Sequence, residues 1–220
     1  MVNDTPRQWT QSTWLLAAGW GSLLVGLSLI AFSITEPWPT PTRVATIMAA
    51  VALIEGWGAC ALIQRGIAAS SLAGVGKAAG YLAAVAAVVA FVGLTLAGNP
   101  YVRSHLLTVS GLKLAAIPVA IGASFCEELV FRGWLMNRLA LSRRSTATQI
   151  LISALTFGLA HVYAFGGFRP ALAAQASATL FGVMLATVYI LGGRKLGPAI
   201  FAHGLVDFLI EPWLIIGFFA

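Results

Sequence analysis

Glu127, Glu128 and Arg132 stand inside an apolar run that covers residues 112–141. This placement constrains the chain more than any other feature. A charge at the centre of a bilayer costs at least about 2.5–3.5 kcal/mol on insertion scales. A run that carries three such groups has a use for them and must bury them against partners. It is also too long for a simple crossing. As a helix it measures roughly 45 Å at 1.5 Å per residue, against a hydrocarbon core of about 30 Å. It must tilt, kink or protrude.

Whether the surroundings are a membrane is decided by composition. Of 220 residues, 59% are hydrophobic and 9% charged, where a soluble domain carries roughly 25% charged residues. The chain reads as an integral membrane protein with a single membrane domain over residues 1–220. Its net charge of +6 does not point to nucleic acid. Most Lys and Arg lie at segment ends, where they meet lipid headgroups, and no nucleic-acid motif is present. Cys60 and Cys126 lie in different apolar segments, with neither metal-ligand spacing nor a case for a disulfide. Residues 1–12 are polar, and about 20 apolar residues follow without a clear cleavage site. That pattern reads as a retained first transmembrane helix rather than a signal peptide.

The fold class is all-α, a polytopic membrane protein with about seven transmembrane helices. Spans are expected at 14–32, 44–63, 78–97, 112–141, 148–165 and 172–191, with a seventh from 196. Three prolines, Pro37, Pro39 and Pro41, keep the first connection non-helical. Gly98-Asn99-Pro100 ends the third span, and Pro118 lies early in the fourth. Residues 166–170 form a turn before the sixth. Glu211-Pro212 interrupts the seventh, leaving an apolar tail that either continues it or starts an eighth. Residues 1–111 form a three-helix part of unassigned role, and residues 112–210 form the core that carries the chemistry. With the N-terminus inside, cytoplasmic segments carry Arg7, Arg65, Lys77, Arg138, Arg143, Arg144, Arg194 and Lys195. The other side carries Arg43, Arg103, Lys113 and Arg169. This imbalance sets the N-terminus in the cytoplasm, as in a bacterial inner membrane.

Helical spacing sorts the buried polar residues. Glu128 and Arg132 are four apart with the acid first, the favourable order for an ion pair. Glu127 is about 100° further round and can face elsewhere. The pair then acts as support and leaves Glu127 for chemistry; alternatively the whole group is a structural ion pair. His161 shares a face with Phe157, and a lone histidine there can equally be a hydrogen-bonded core residue. His203 and Asp207 are also four apart. An aspartate on an imidazole N–H fixes its tautomer, although Asp207 can instead be a helix-end hydrogen-bonder. Together, Glu127, His161, His203 and Asp207 occupy three helices. If these are neighbours, a carboxylate and two imidazoles can hold and deprotonate a water, the equipment of amide hydrolysis. The same side chains can bind a divalent metal such as zinc, but there is no HExxH-type pair, and the sequence does not establish one. Glu55 and Cys126 read as a hydrogen-bonding residue and a packing residue. No Ser/His/Asp constellation and no phosphate-cradling glycine loop is present.

With these residues placed, the sequence resembles the CAAX protease and bacteriocin-processing (CPBP, or Abi) family of intramembrane proteases. The family's EE-x-x-x-R helix reads here Glu127-Glu128 through Arg132. Its F-x-x-x-H helix reads Phe157 through His161. Its H-x-x-x-(N/D) helix reads His203 through Asp207. Phe131-Arg132-Gly133, the glycine-bearing stretch 180–186 and residues 196–203 agree as well. The resemblance covers about residues 112–210.

It implies a glutamate-dependent endopeptidase acting on a membrane-associated peptide or protein. Glu127 would activate water with His161, His203 and Asp207 would stabilise the oxyanion, and Glu128 and Arg132 would support the site. Asp207 departs from the asparagine of the prenyl proteases. An ionised aspartate repels an oxyanion, so Asp207 is either protonated or serves to orient His203. Two other readings stay open. One is a catalytically silent scaffold or immunity protein with a membrane-protein partner. The other is an ion-coupled transporter, for which the expected internal repeat is missing.

Overall fold

The computed structural model describes residues 75–161 and 168–219, together with positions 42, 46, 49, 50, 53, 56–61 and 63. The expected first span at 14–32 lies outside the described residues, as do Glu55 and most of the second span. The described positions within 44–63 are helical.

Helix α1 spans Ala78–Gly98, close to the expected third span. Its chain end is turned by Asn99, whose side chain accepts the Val102 N–H and opens the short helix α2, Pro100–His105. The cap explains α2, which the apolar pattern did not reveal. Asparagine at the N-cap and proline at the first helical position are both preferred there. Ser110 caps α3, Gly111–Glu128, by accepting the Lys113 N–H. The helix then continues without a break as a π-helical stretch, Leu129–Met136, and as α4, Asn137–Leu141. The long fourth segment is therefore one helical run, and its irregularity falls immediately after the two glutamates. Such π segments are found frequently at functional sites.

Ser145 caps α5, Thr146–Ala160. This helix is shorter than the expected 148–165. It stops because His161 caps it: Nδ1 donates to the Phe157 carbonyl at 2.8 Å, satisfying one of the last orphan acceptors. Helix α6, Phe168–Leu191, begins earlier than expected. Residues 168–170, read as part of a turn, are helical, since proline is tolerated in a first turn. Helix α7 runs continuously over Leu196–Phe219 with Pro212 inside it. The expected interruption at Glu211-Pro212 does not occur, and the tail continues the seventh segment. Proline removes one backbone bond, which a helix packed against neighbours tolerates.

Helix α7 packs on α3 and α1, α1 also packs on α6, and α5 lies along α6. Close approach depends on glycine in two places. A Cβ on Gly158 would run into the Thr179 hydroxyl, and a Cβ on Gly182 would meet Ala154 Cα at 3.0 Å. The distribution of polarity is the reverse of a soluble protein's. Leu82, Val85 and Val89 of α1, and Leu151, Leu155 and Leu159 of α5, are exposed stripes. Ser124, Glu128, Arg132, Gln149, Ser153, His203 and Asp207 are buried.

The described residues contain helices and no strand, so the all-α class holds. Two helices, Ala78–Gly98 and Leu172–Leu191, are long and apolar enough to cross a membrane by that criterion alone. Helix α5 has 15 residues.

Candidate active site

The polar cluster is assembled from four places. The last two residues of α3 bring Glu127 and Glu128. The π-helical stretch brings Arg132, the C-cap of α5 brings His161, and successive turns of α7 bring His203 and Asp207. The six residues singled out from the sequence thus lie together, and their distances divide them into a tight part and a looser one.

The tight part centres on Arg132, fully buried. Its Nη1 donates to Glu128 Oε1 at 2.6 Å, and Nη2 donates to the Gly182 carbonyl of α6 at 3.1 Å. The guanidinium carbon lies 4.7 Å from the centroid of the Phe157 ring, a cation–π contact worth about 2 kcal/mol when desolvated. Glu128 Oε1 also accepts from His203 Nδ1 at 2.9 Å. Here the structure corrects the sequence. Glu128 and Arg132 do not simply neutralise each other, because the same carboxylate orients His203. The expected orienting group, Asp207, instead sits beside the other ring nitrogen. Phe157 and Phe181 stand edge-on to the His203 ring, with centroids 5.5 and 5.4 Å away. His203 is therefore fixed at one nitrogen and hemmed in by two aromatic rings.

The looser part faces His203 Nε2. Glu127 Oε2 is 3.6 Å from it, and Asp207 Oδ1 is 3.5 Å from it. Glu127 Oε1 lies 4.0 Å from His161 Nε2. These separations exceed direct hydrogen bonds but suit groups that share a small molecule between them. Because His161 donates through Nδ1 to Phe157, its Nε2 is left as the acceptor nitrogen facing Glu127. His161 is also the most accessible of these side chains, at 29%. The arrangement can take a proton from a bound water and present a donor to developing negative charge. Among the described residues no three His, Cys, Asp or Glu side chains are grouped to hold a metal ion.

Sequence reasoning missed two participants. The Gly182 carbonyl, an acceptor for Arg132, carries no side-chain signal. Glu211 does carry one, since it lies four residues after Asp207 and eight after His203, on the same stripe of α7. Its Oε2 is buried with no hydrogen-bond partner.

Exposed apolar stripes outside and a carboxylate–imidazole–guanidinium cluster inside define an all-α protein built around a buried polar site. Residues 109–209 match the model of the Rce1-like family, type II CAAX prenyl endopeptidases. The match supports the CAAX protease and bacteriocin-processing family for this stretch, a family that is membrane-integral. No curated protein and no solved structure matches the chain.

Proposed function

We propose that the protein is a glutamate-dependent intramembrane endopeptidase that cleaves a membrane-associated peptide or protein. The observation that carries this reading is Glu127, whose two oxygens face the Nε2 atoms of His161 and His203 at 4.0 and 3.6 Å. A water between Glu127 and His161 would lose its proton to the carboxylate as it attacks the scissile carbonyl. His161, with Nδ1–H committed to Phe157, would accept a hydrogen bond from that water and keep its lone pair aimed at the carbonyl carbon. His203 would donate from Nε2 to the oxyanion of the tetrahedral intermediate. Glu128 on Nδ1 and Asp207 beside Nε2 would hold one proton at each ring nitrogen, so Asp207 acts through His203 rather than on the oxyanion itself. Glu127 would then return its proton to the leaving amine. Arg132 supports the site by fixing Glu128.

In this reading residues 112–210 are the catalytic core, and residues 1–111 are a three-helix part of unassigned role. The chain crosses a bacterial inner membrane about seven times with its N-terminus in the cytoplasm. The excess of Lys and Arg in alternate connections supports that orientation.

Purified protein in micelles, offered amphipathic and lipidated peptides with a fluorescent reporter, tests the proposal. Cleavage that disappears in Glu127→Ala, with unfolding temperature unchanged, is the expected result. Full cleavage by that variant overturns the mechanism. If neither Glu127→Ala nor His161→Ala alters the biological effect, the protein is a silent member that works as a partner.

A further inference from the structure

The end of the molecule where α1 begins, α4 turns into α5 and α6 turns into α7 gathers positive charge. Arg143 and Arg144 lie in the α4–α5 turn, Arg194 and Lys195 in the α6–α7 turn, and Lys77 just before α1. Neither turn contains an Asp or Glu. The three places are physically joined. Arg194 Nη2 donates to Gln149 Oε1 at 2.7 Å, and Gln149 Nε2 donates to the Arg144 carbonyl at 2.7 Å. Lys77 N–H donates to the Gly192 carbonyl at 3.1 Å. Gln149 is buried, at 3% exposure, so the bridge between the turns is a built feature. It positions Arg194 while leaving its other terminal nitrogen, Nη1, buried with no hydrogen-bond partner.

The backbone adds an independent sign. Two described non-glycine residues have positive φ, Arg143 at 55° and Arg194 at 60°, and both stand in these turns. Each closes a helix: Arg143 N–H bonds to the Ala140 carbonyl and Arg194 N–H to the Tyr189 carbonyl, both at 2.9 Å. Glycine is the unstrained residue for such a closure. Both arginines hold a conformation that L-residues seldom adopt. Leu141 and Leu191, the last residues of α4 and α6, are exposed just before the two turns. Cationic side chains beside bare leucines match a molecule with a phosphate at one end and a hydrocarbon chain at the other.

We infer that this end is a binding site for the phosphate headgroup of an acidic phospholipid. Arg194 and Arg143 contact the phosphate oxygens, Arg144 and Lys77 enlarge the positive field, and the acyl chains lie along Leu141 and Leu191. The site is separate from the carboxylate cluster and does not depend on the proposed proteolysis.

The full-length protein in maltoside micelles tests this directly. Dioleoylphosphatidylglycerol should raise the unfolding temperature and stay bound in native mass spectrometry, whereas dioleoylphosphatidylcholine should do neither. Arg194→Gly and Arg143→Gly each remove a guanidinium while relieving the positive φ. Each should weaken phosphatidylglycerol binding about fivefold, the effect of one cation near a headgroup. Arg103→Gln, at the opposite end of α1, should leave binding unchanged. If Arg194→Gly fails to fold, the exposed Arg143 side chain allows Arg143→Gly to decide alone. Equal binding of the neutral lipid, wild-type binding by the glycine variants, or an equal loss in Arg103→Gln overturns the inference. So does inorganic phosphate giving the same temperature shift, because the site would then take a free anion.

Discussion

The two halves of the buried polar cluster use similar residues to opposite ends. Around Arg132 the groups close on one another. Glu128, His203 Nδ1 and the Gly182 carbonyl all sit within 3.1 Å of their partners. Around His203 Nε2 the nearest acids stand 3.5 and 3.6 Å away, and His161 is 4.0 Å from Glu127. The imidazole of His203 joins the halves, one nitrogen in each. Adjacent glutamates therefore divide the labour: one is part of the scaffold, and the other faces the gap. A buried ion pair is sound only when its remaining hydrogen bonds are met; the closed half meets those of Glu128 Oε1 and the Arg132 terminal nitrogens and leaves Glu128 Oε2 and Arg132 Nε without a partner. In the open half the facing groups stand farther apart than direct hydrogen bonds.

The sharpest way to break this contrast is to remove one charged side chain from each half. Glu127→Ala should lower kcat/KM by about 10²–10⁴-fold or more, the usual contribution of a positioned base, with little change in unfolding temperature. Arg132→Met should do the reverse in kind. It strands the Glu128 charge and the Gly182 carbonyl, and should cost about 3–5 kcal/mol of stability. Denaturant or thermal unfolding in micelles measures it. The double variant Glu128→Leu/Arg132→Met should recover part of that stability but no activity, because His203 has lost its anchor. Recovery of activity in the double variant would show that the closed half is not needed to orient His203.

A smaller effect comes from the scaffold that sets the width of the gap. Gly158→Ala places a methyl group against Thr179 on α6 and should cost about 1–3 kcal/mol as an overpacking substitution. Because His161 caps the same helix, activity should fall with kcat rather than KM. A variant that loses stability but keeps its kcat would detach the α5–α6 contact from the position of His161.

Much of this was legible in the sequence where the interactions are local. Glu128–Arg132, Phe157–His161 and His203–Asp207 are one helical turn apart, and that spacing alone puts each pair on one face. Convergence of the three helices could only be conditional, since the 75-residue separation of Glu128 and His203 leaves no mark on either segment. For the same reason Asp207, the local candidate, was the carboxylate considered for orienting His203, as one of its open roles, and Glu128 was not. The π-helical stretch and the unbroken passage through Pro212 were not legible either. Both depend on neighbouring helices to compensate a weakened backbone ladder. The helix α2 was missed because its signal is a cap, Asn99 before Pro100, and not a periodic apolar face.

Glu211 provides the finest test, because spacing attaches it to the open half while burial resembles the closed one. It follows His203 and Asp207 along one stripe of α7, and its Oε2 is buried without a hydrogen-bond partner. Glu128 in the scaffold likewise leaves its Oε2 without a partner, so bonding alone does not place Glu211 in either half. Glu211→Gln keeps the shape and removes the charge. If Glu211 extends the open half, this variant should hold its unfolding temperature to within the effect of about 1 kcal/mol, typical of one neutral hydrogen bond. Its peptide cleavage should change by less than tenfold, in kcat/KM for longer peptides before shorter ones, since the residue lies one turn beyond Asp207. A large loss of stability with cleavage unaltered would instead assign Glu211 to the scaffold and confine the open half to Glu127, His161, His203 and Asp207.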